Sequence, residues 1–174
     1  MKILIDARLY GPKDTGIGRY TQKLVENLVK IDSVNQYIIL LRKSDYKTLV
    51  FPKNWTKVLI DIKHYTFEEQ FKMPFILSKF KVDLVHFPHF NVPLLYFGKY
   101  IVTVHDIIMH KFSDGSATTR SFPIYQIWRI GYHLAFAKAV YGSTKVIVPA
   151  YSIKDDVVNY YHLNPKKMEV TYEG

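Results

Sequence analysis

Seven short apolar runs recur along the chain, separated by segments with helical spacing, and this alternation restricts the fold more than any other feature. The runs are "KILIDA" (2–7), "YIILL" (37–41), "VLIDI" (58–62), "DLVHF" (83–87), "YIVTVH" (100–105), "KVIVP" (145–149) and "MEVTY" (168–172). Most are nearly continuous in Ile, Val and Leu, as strands are when a parallel sheet is covered on both faces. Between the first two runs, Tyr20, Leu24, Leu28 and Ile31 fall at helical spacing, with Val25 and Val29 broadening the stripe. Thr66 and Glu69 form a capping box ahead of a helix over 67–80, which Pro74 is expected to kink or end. Two more helices are predicted, over about 121–141 and from near Ser152, where Asp155 and Asp156 suit the positive end of the helix dipole. The sum is an α/β chain: a doubly wound, mainly parallel sheet of about seven strands with helices on both faces. The loop "KFSDGSATTR" at 111–120 reads as its most mobile segment.

At 174 residues and 48% apolar content the chain is long enough for one domain with a real core, spanning 1–174. It has no cysteine, which excludes disulfides, a thiolate nucleophile and zinc–cysteine sites, and suits a reducing cytosol. No apolar run approaches the roughly 18 residues that span a bilayer. "MKILIDARLYG" reaches Asp6 too soon for a signal peptide. The net charge of +9 points to polyanions: phospholipid headgroups, nucleic acid or phosphorylated substrates.

In sheets of this kind ligands sit beyond the carboxyl ends of the strands. Three polar clusters gather there: "GPKDTGIGRY" after the first run, "HFPHFN" (86–91) after the fourth and "HDIIMH" (105–110) after the fifth. Gly16 and Gly18 precede a helix whose first-turn N–H groups favour a phosphate, with Arg19 a cation nearby. The same glycines equally suit a tight turn that packs helix against strand, and both readings stay open. The His105–Asp106 pair could bind or orient a ligand hydroxyl, or be a buried histidine and a turn cap. His86, His89 and His105 invite a metal, but His-x-x-His on a strand-to-loop segment does not put both imidazoles on one helical face. No metal is expected. The aromatic segment "SFPIYQIWRIGYHLAFAKAVY" carries Arg129, His133 and Lys138, and is core on one face or a snorkelling helix at a membrane surface. No nucleic-acid motif accompanies the basic residues.

Together, "IDARLYGPKDTGIGRYTQKLVENL", "DLVHFPHFNVPL", "IVTVHDIIMHKF" and "KVIVPAYSIKDDVVNYYHLNPKKMEVTYEG" resemble the N-terminal half of retaining, GT-B-fold glycosyltransferases of family four, in the mannosyltransferase-like branch. The resemblance implies a Rossmann-like domain that binds the acceptor and forms half of a GT-B architecture. It implies that Gly16, Ile17 and Gly18 lie against the diphosphate of a nucleotide-sugar donor. His105 would approach the transferring sugar with Asp106 in support, and His86, His89 and Asn91 would line the acceptor side. Arg19 and Lys154 would be weaker phosphate or acceptor contacts. The donor is a substrate, and no cofactor or metal is implied. The acceptor would be a glycan or a lipid-linked molecule, as in cell-envelope polysaccharide assembly, with the protein cytoplasmic or peripheral at the inner face of the membrane.

Two departures from the family pattern stand out. Ala150 and Ile153 occupy places where the family commonly carries hydroxyls. The family also continues past the equivalent of "TYEG" into a donor-binding domain, which this sequence lacks. The resemblance therefore implies half an enzyme, inactive without a C-terminal domain in cis or a partner chain. The exposed domain-facing surface could alternatively drive self-association. A rival reading is a non-catalytic Rossmann-like binding or interaction module derived from such an enzyme. A free-standing nucleotide-binding enzyme fits less well, because "LLRKSD" presents Arg42 and Lys43 where an acidic ribose partner is needed, with Asp45 late.

Overall fold

The computed structural model describes residues 1–108 and 122–172. Seven strands form one all-parallel sheet: β1 (Lys2–Asp6), β2 (Gln36–Leu41), β3 (Trp55–Leu59), β4 (Leu84–Phe87), β5 (Tyr100–Thr103), β6 (Lys145–Val148) and β7 (Met168–Val170). Their order is β3-β2-β1-β4-β5-β6-β7, so the winding reverses once, between β1 and β4. Among the described residues five α-helices join them: α1 (Thr15–Ile31), α2 (Lys43–Thr48), α3 (Phe67–Lys79), α4 (Phe122–Gly142) and α5 (Tyr151–Tyr161).

Alternate residues of β1 and β2 feed opposite cores, which is why those two strands are apolar almost throughout. Ile5, Ile39 and Leu41 pack with Val25 of α1 and with Tyr46 and Leu49 around α2. Leu4, Ile38 and Leu40 pack on the other face with Met73 of α3, Phe136 of α4 and Val157 of α5. The α/β, doubly wound fold expected from the apolar runs is the fold observed. Among the described residues no helix is long and apolar enough to cross a membrane.

Several local expectations are corrected. The third strand begins at Trp55, three residues before the Val58 expected, with Tyr37 opposite Trp55 and Leu41 opposite Leu59. Two things make this register favourable. Trp55 stacks on Tyr37 at 4.2 Å, and Lys57 sends its ammonium to the carbonyls of Tyr46 and Leu49. A lysine that looks like a strand breaker is thereby held by the neighbouring helix. Pro74 does not end α3, which runs on to Lys79 with Pro74 buried. The stripe expected of α1 ends early, because Ile31 is 78% exposed while Val25 is buried. Helix α2 lacks any apolar stripe and had no sequence signal. The expected mobile loop at 111–120 lies outside the described residues.

α3 also turns Phe67, Phe71 and Phe75, each four residues from the next, toward solvent, all more than 60% exposed. The capping box forms by halves. Thr66 Oγ1 accepts from Glu69 N at 3.2 Å, but the Glu69 carboxylate turns inward instead of back to the cap.

Candidate functional site

The reversal between β1 and β4 opens the carboxyl edge of the sheet, and the site is built there from a buried charge hub upward. Beyond β1, the fully buried Arg8 donates from Nε to Asp6 Oδ1 at 2.8 Å and from Nη2 to Asp6 Oδ2 at 2.6 Å. It also donates to Glu69 Oε1 at 2.7 Å and to the Ile62 carbonyl at 3.1 Å. Glu69 Oε2 in turn accepts from Asn91 Nδ2 at 2.6 Å and from Tyr65 N at 2.8 Å. Segments after β1, β3 and β4 and the start of α3 are thus tied to one guanidinium. Burial opposes ionisation of Asp6, yet the charge and hydrogen bonds of Arg8 outweigh it and hold the carboxyl below its ordinary range. Burial pushes Glu69 up, with Arg8 opposing.

Above the hub lies a recess of about 10 Å³, room for one water-sized group, lined by Asp6, Ile17, Thr21, His64, His89 and Asn91 among others. Three histidines here are kept neutral, chiefly by burial: His64 and His89 fall to about 3, and His86 to about 4. His86 Nε2 meets Thr103 Oγ1 at 3.0 Å, and Thr103 Oγ1 meets the Tyr20 hydroxyl at 3.0 Å, which carries the contact from β4 through β5 to α1. Tyr20 packs edge-on against His105 at 4.9 Å, and the His105 and His89 rings lie 6.5 Å apart. His105 Nε2 donates to the Pro88 carbonyl at 2.9 Å, so in the neutral imidazole Nδ1 is the acceptor. His89 Nε2 meets the Tyr65 hydroxyl, and its buried Nδ1 has no hydrogen-bond partner among the described residues.

The residues singled out in the sequence are distributed as follows. Ile17, His86, His89, Asn91 and His105 come together at the reversal. Asp106 is exposed and accepts from Ile108 N at 3.0 Å, a turn contact. Arg19 is exposed on α1, in the turn that carries Ile17 and Tyr20. Lys154 sits in the first turn of α5, beyond β6, and no hydrogen bond or ion pair among the described residues joins its side chain to the histidines. Asn91 donates into the Glu69 hub, so its amide is committed to holding the loop after β4.

Gly16 and Gly18 lie inside the first turn of α1, not in a loop before it. The left-handed backbone falls instead on Gly11, at φ 84°, and on Thr15, at φ 61°. The two glycines differ in surroundings. A Cβ on Gly18 would stand 2.1 Å from the Gly11 carbonyl oxygen, whereas one on Gly16 would meet nothing within 4 Å. Gly18 lets the preceding turn close onto the helix; Gly16 leaves bare backbone on the surface. The Asp14 side chain does not cap α1, bonding Tyr10 N and Arg42 instead. The first-turn amides therefore keep their anion-favouring character. Gly18→Ala is expected to cost about 1–3 kcal/mol in urea unfolding, while Gly16→Ala should be neutral or stabilising by up to about 1 kcal/mol.

Two features escaped the sequence reading: the Asp6–Arg8–Glu69 hub, and the pair His64 and Tyr65 after β3. Asp6 and Arg8 closing an apolar strand two residues apart was the available signal, since such a pair faces one side of the sheet. Among the described residues, no three His, Cys, Asp or Glu side chains are placed to hold a metal ion.

The all-parallel sheet with helices on both faces is a Rossmann-like α/β fold, of the kind that forms each half of a GT-B architecture. Residues 15–174 match the sequence profile described as Glycosyltransferase Family 4, and the chain belongs to that family. No curated protein matches the chain. Among solved structures, the oxidoreductase ylbE from Lactococcus lactis is similar at 14% identity, covering 85% of this chain and 67% of that one, with a TM-score of 0.43. A likeness at that level carries no argument.

Proposed function

We propose that the chain is the acceptor-side half of a retaining, mannosyltransferase-like enzyme that moves a sugar from a nucleotide-sugar donor to a glycan or lipid-linked acceptor, and that it needs a C-terminal donor-binding domain or partner chain to do so. The reading is carried by one observation: the first turns of α1 lie against both His89 and His105. Ile17 lines the recess with His89, and Tyr20, one turn on, packs on His105. In transfer, the bond from the anomeric carbon to the diphosphate breaks, a bond to the acceptor oxygen forms, and the acceptor proton leaves with the diphosphate. The amides of Gly16 and Ile17 would face the diphosphate, and His105 would hold a hydroxyl of the moving sugar. Neutral imidazoles at His86 and His89 suit hydroxyl recognition better than charge pairing. The outward Phe67, Phe71 and Phe75, in a chain of net charge +9, support a peripheral contact with a membrane that carries the acceptor.

The test is transfer from a panel of nucleotide sugars with and without an added family C-terminal domain. Activity is expected only with that domain, and His105→Ala should lower it about 10²-fold without changing the unfolding midpoint. Robust transfer by the chain alone would refute the dependence. Unchanged transfer in the variant would refute the role of His105. A second reading, a binding module without chemistry, is favoured by one feature: Ala150 caps α5 without any side-chain hydrogen bond. On that reading the added domain restores nothing.

A further inference from the structure

A second concavity of about 400 Å³ adjoins the recess and shares Leu9 and His64 with it. Its other walls are Arg42 at the end of β2 and residues 61–65 after β3, so it continues the same sheet edge away from β4. Its volume is that of an ordinary small-molecule site.

Tyr65 stands at the edge of the second concavity, beside the recess. The residue is 55% exposed, its hydroxyl meets His89 of the recess, and it lines the second concavity. Its backbone takes φ 61°, a conformation bulky residues rarely adopt. That conformation is fixed by the Tyr65 N–H donating to Glu69, itself fixed by Arg8. A half-exposed aromatic face is therefore held rigidly beside the reaction edge, at a conformational cost met by the hub beneath it.

The polar groups around that ring are close to electrically balanced. Arg42 contacts Asp14 at 3.2 Å and His64 Nδ1 at 3.3 Å, His64 is neutral, and the charge of Lys63 is offset by that of Asp61. Despite the basic chain, this place offers an apolar platform ringed by planar hydrogen-bonding groups rather than a phosphate trap. That combination suits a sugar ring, with its C–H face on the aromatic and its hydroxyls on the rim.

We propose that this concavity is a second acceptor subsite that takes a neutral sugar ring stacked on Tyr65, so that an oligosaccharide acceptor runs from the histidines toward β2 and β3. The proposal rests on the glycosyl-transfer reading above. Asp61, Lys63 and Tyr65 are then specificity-determining residues that touch the part of the acceptor one ring removed from the reacting one.

The test is an NMR titration of the chain with methyl glycosides of mannose, glucose and galactose, with the matching disaccharides, and with inorganic pyrophosphate. At least one disaccharide should shift Ile62 and Tyr65 as well as His89, and bind about tenfold more tightly than its monosaccharide. Tyr65→Asn tolerates the left-handed backbone but removes the ring, and should erase that gain; Tyr65→Phe should keep it. Asp61→Ala, at an exposed position, should reduce it without affecting folding. If sugars bind near His89 with no disaccharide gain, the subsite is refuted while the transfer reading stands. If no sugar binds anywhere, both fall. Pyrophosphate shifting Arg42 and Lys63 in place of any sugar would make this an anion site and overturn the proposal.

Discussion

Arg8→Met should destabilise the protein by about 3–5 kcal/mol in urea unfolding, a large share of the stability of an ordinary domain. Methionine fills similar space, so the loss is electrostatic. Asp6 and Glu69 would share one water-free site with no cation, and Asn91 and Tyr65 would still donate into a carboxylate that has lost its partner. Adding Glu69→Gln to Arg8→Met should recover part of the loss, because it removes one of the stranded charges. Glu69→Gln alone should cost less than Arg8→Met. A strictly additive double-mutant cycle would show that the three groups do not act as a unit. Arg8→Lys should rescue little, since an ammonium cannot chelate both Asp6 oxygens and still reach Glu69 and the Ile62 carbonyl.

The effect should also reach the site without any contact between Arg8 and ligand. Ile62, Tyr65 and Asn91 are held in place by this hub, and they border the two concavities. Losing Arg8 loosens the platform ring and the loop after β4 together. On the proposed reading, stability and acceptor recognition would thus be coupled through one buried guanidinium.

That hub marks the boundary of what the residue pattern alone reveals. Strands β1, β2, β4, β5 and β6 were legible because burial leaves a nearly continuous apolar record in a short window, and β7 because Met168 and Val170 alternate with an exposed Glu169. β3 was misplaced because Trp55 and Lys57 owe their strand conformation to Tyr37, Tyr46 and Leu49, which are distant in sequence. The edge that gathers His86, His89 and His105 was legible from strand ends. The partner of Arg8 lies 61 residues away, and nothing local distinguishes Glu69 from an ordinary capping-box glutamate. Gly16 and Gly18 look alike in sequence; only the Gly11 carbonyl above Gly18 separates a packing glycine from an open one. The left-handed backbone of Tyr65 likewise leaves no mark in a sequence, because tyrosine is a poor choice for it.

Acid should unfold this protein early, with stability falling steadily from pH 6.5 to about 4. In the unfolded chain His64, His86 and His89 protonate near 6.5, while in the fold they hold out to about 3, 4 and 3. Across that window the unfolded state binds more protons, so each histidine lowers stability by up to about 1.4 kcal/mol per pH unit. Above pH 6.5 all three are neutral in both states, and this dependence vanishes. Asp6, depressed in the fold, adds a further loss below about 3.8. Glu69, raised by burial, opposes the trend where it takes up its proton before the unfolded chain does. Urea unfolding at half-unit intervals measures the slope. His86→Gln keeps a polar atom near Thr103 but cannot titrate, so it should flatten the slope between pH 6.5 and 4 by about one histidine's share. An unchanged slope in that variant would mean that His86 charges in the fold as readily as in the unfolded chain. The water-poor edge to which the neutral histidines are assigned would then be wet.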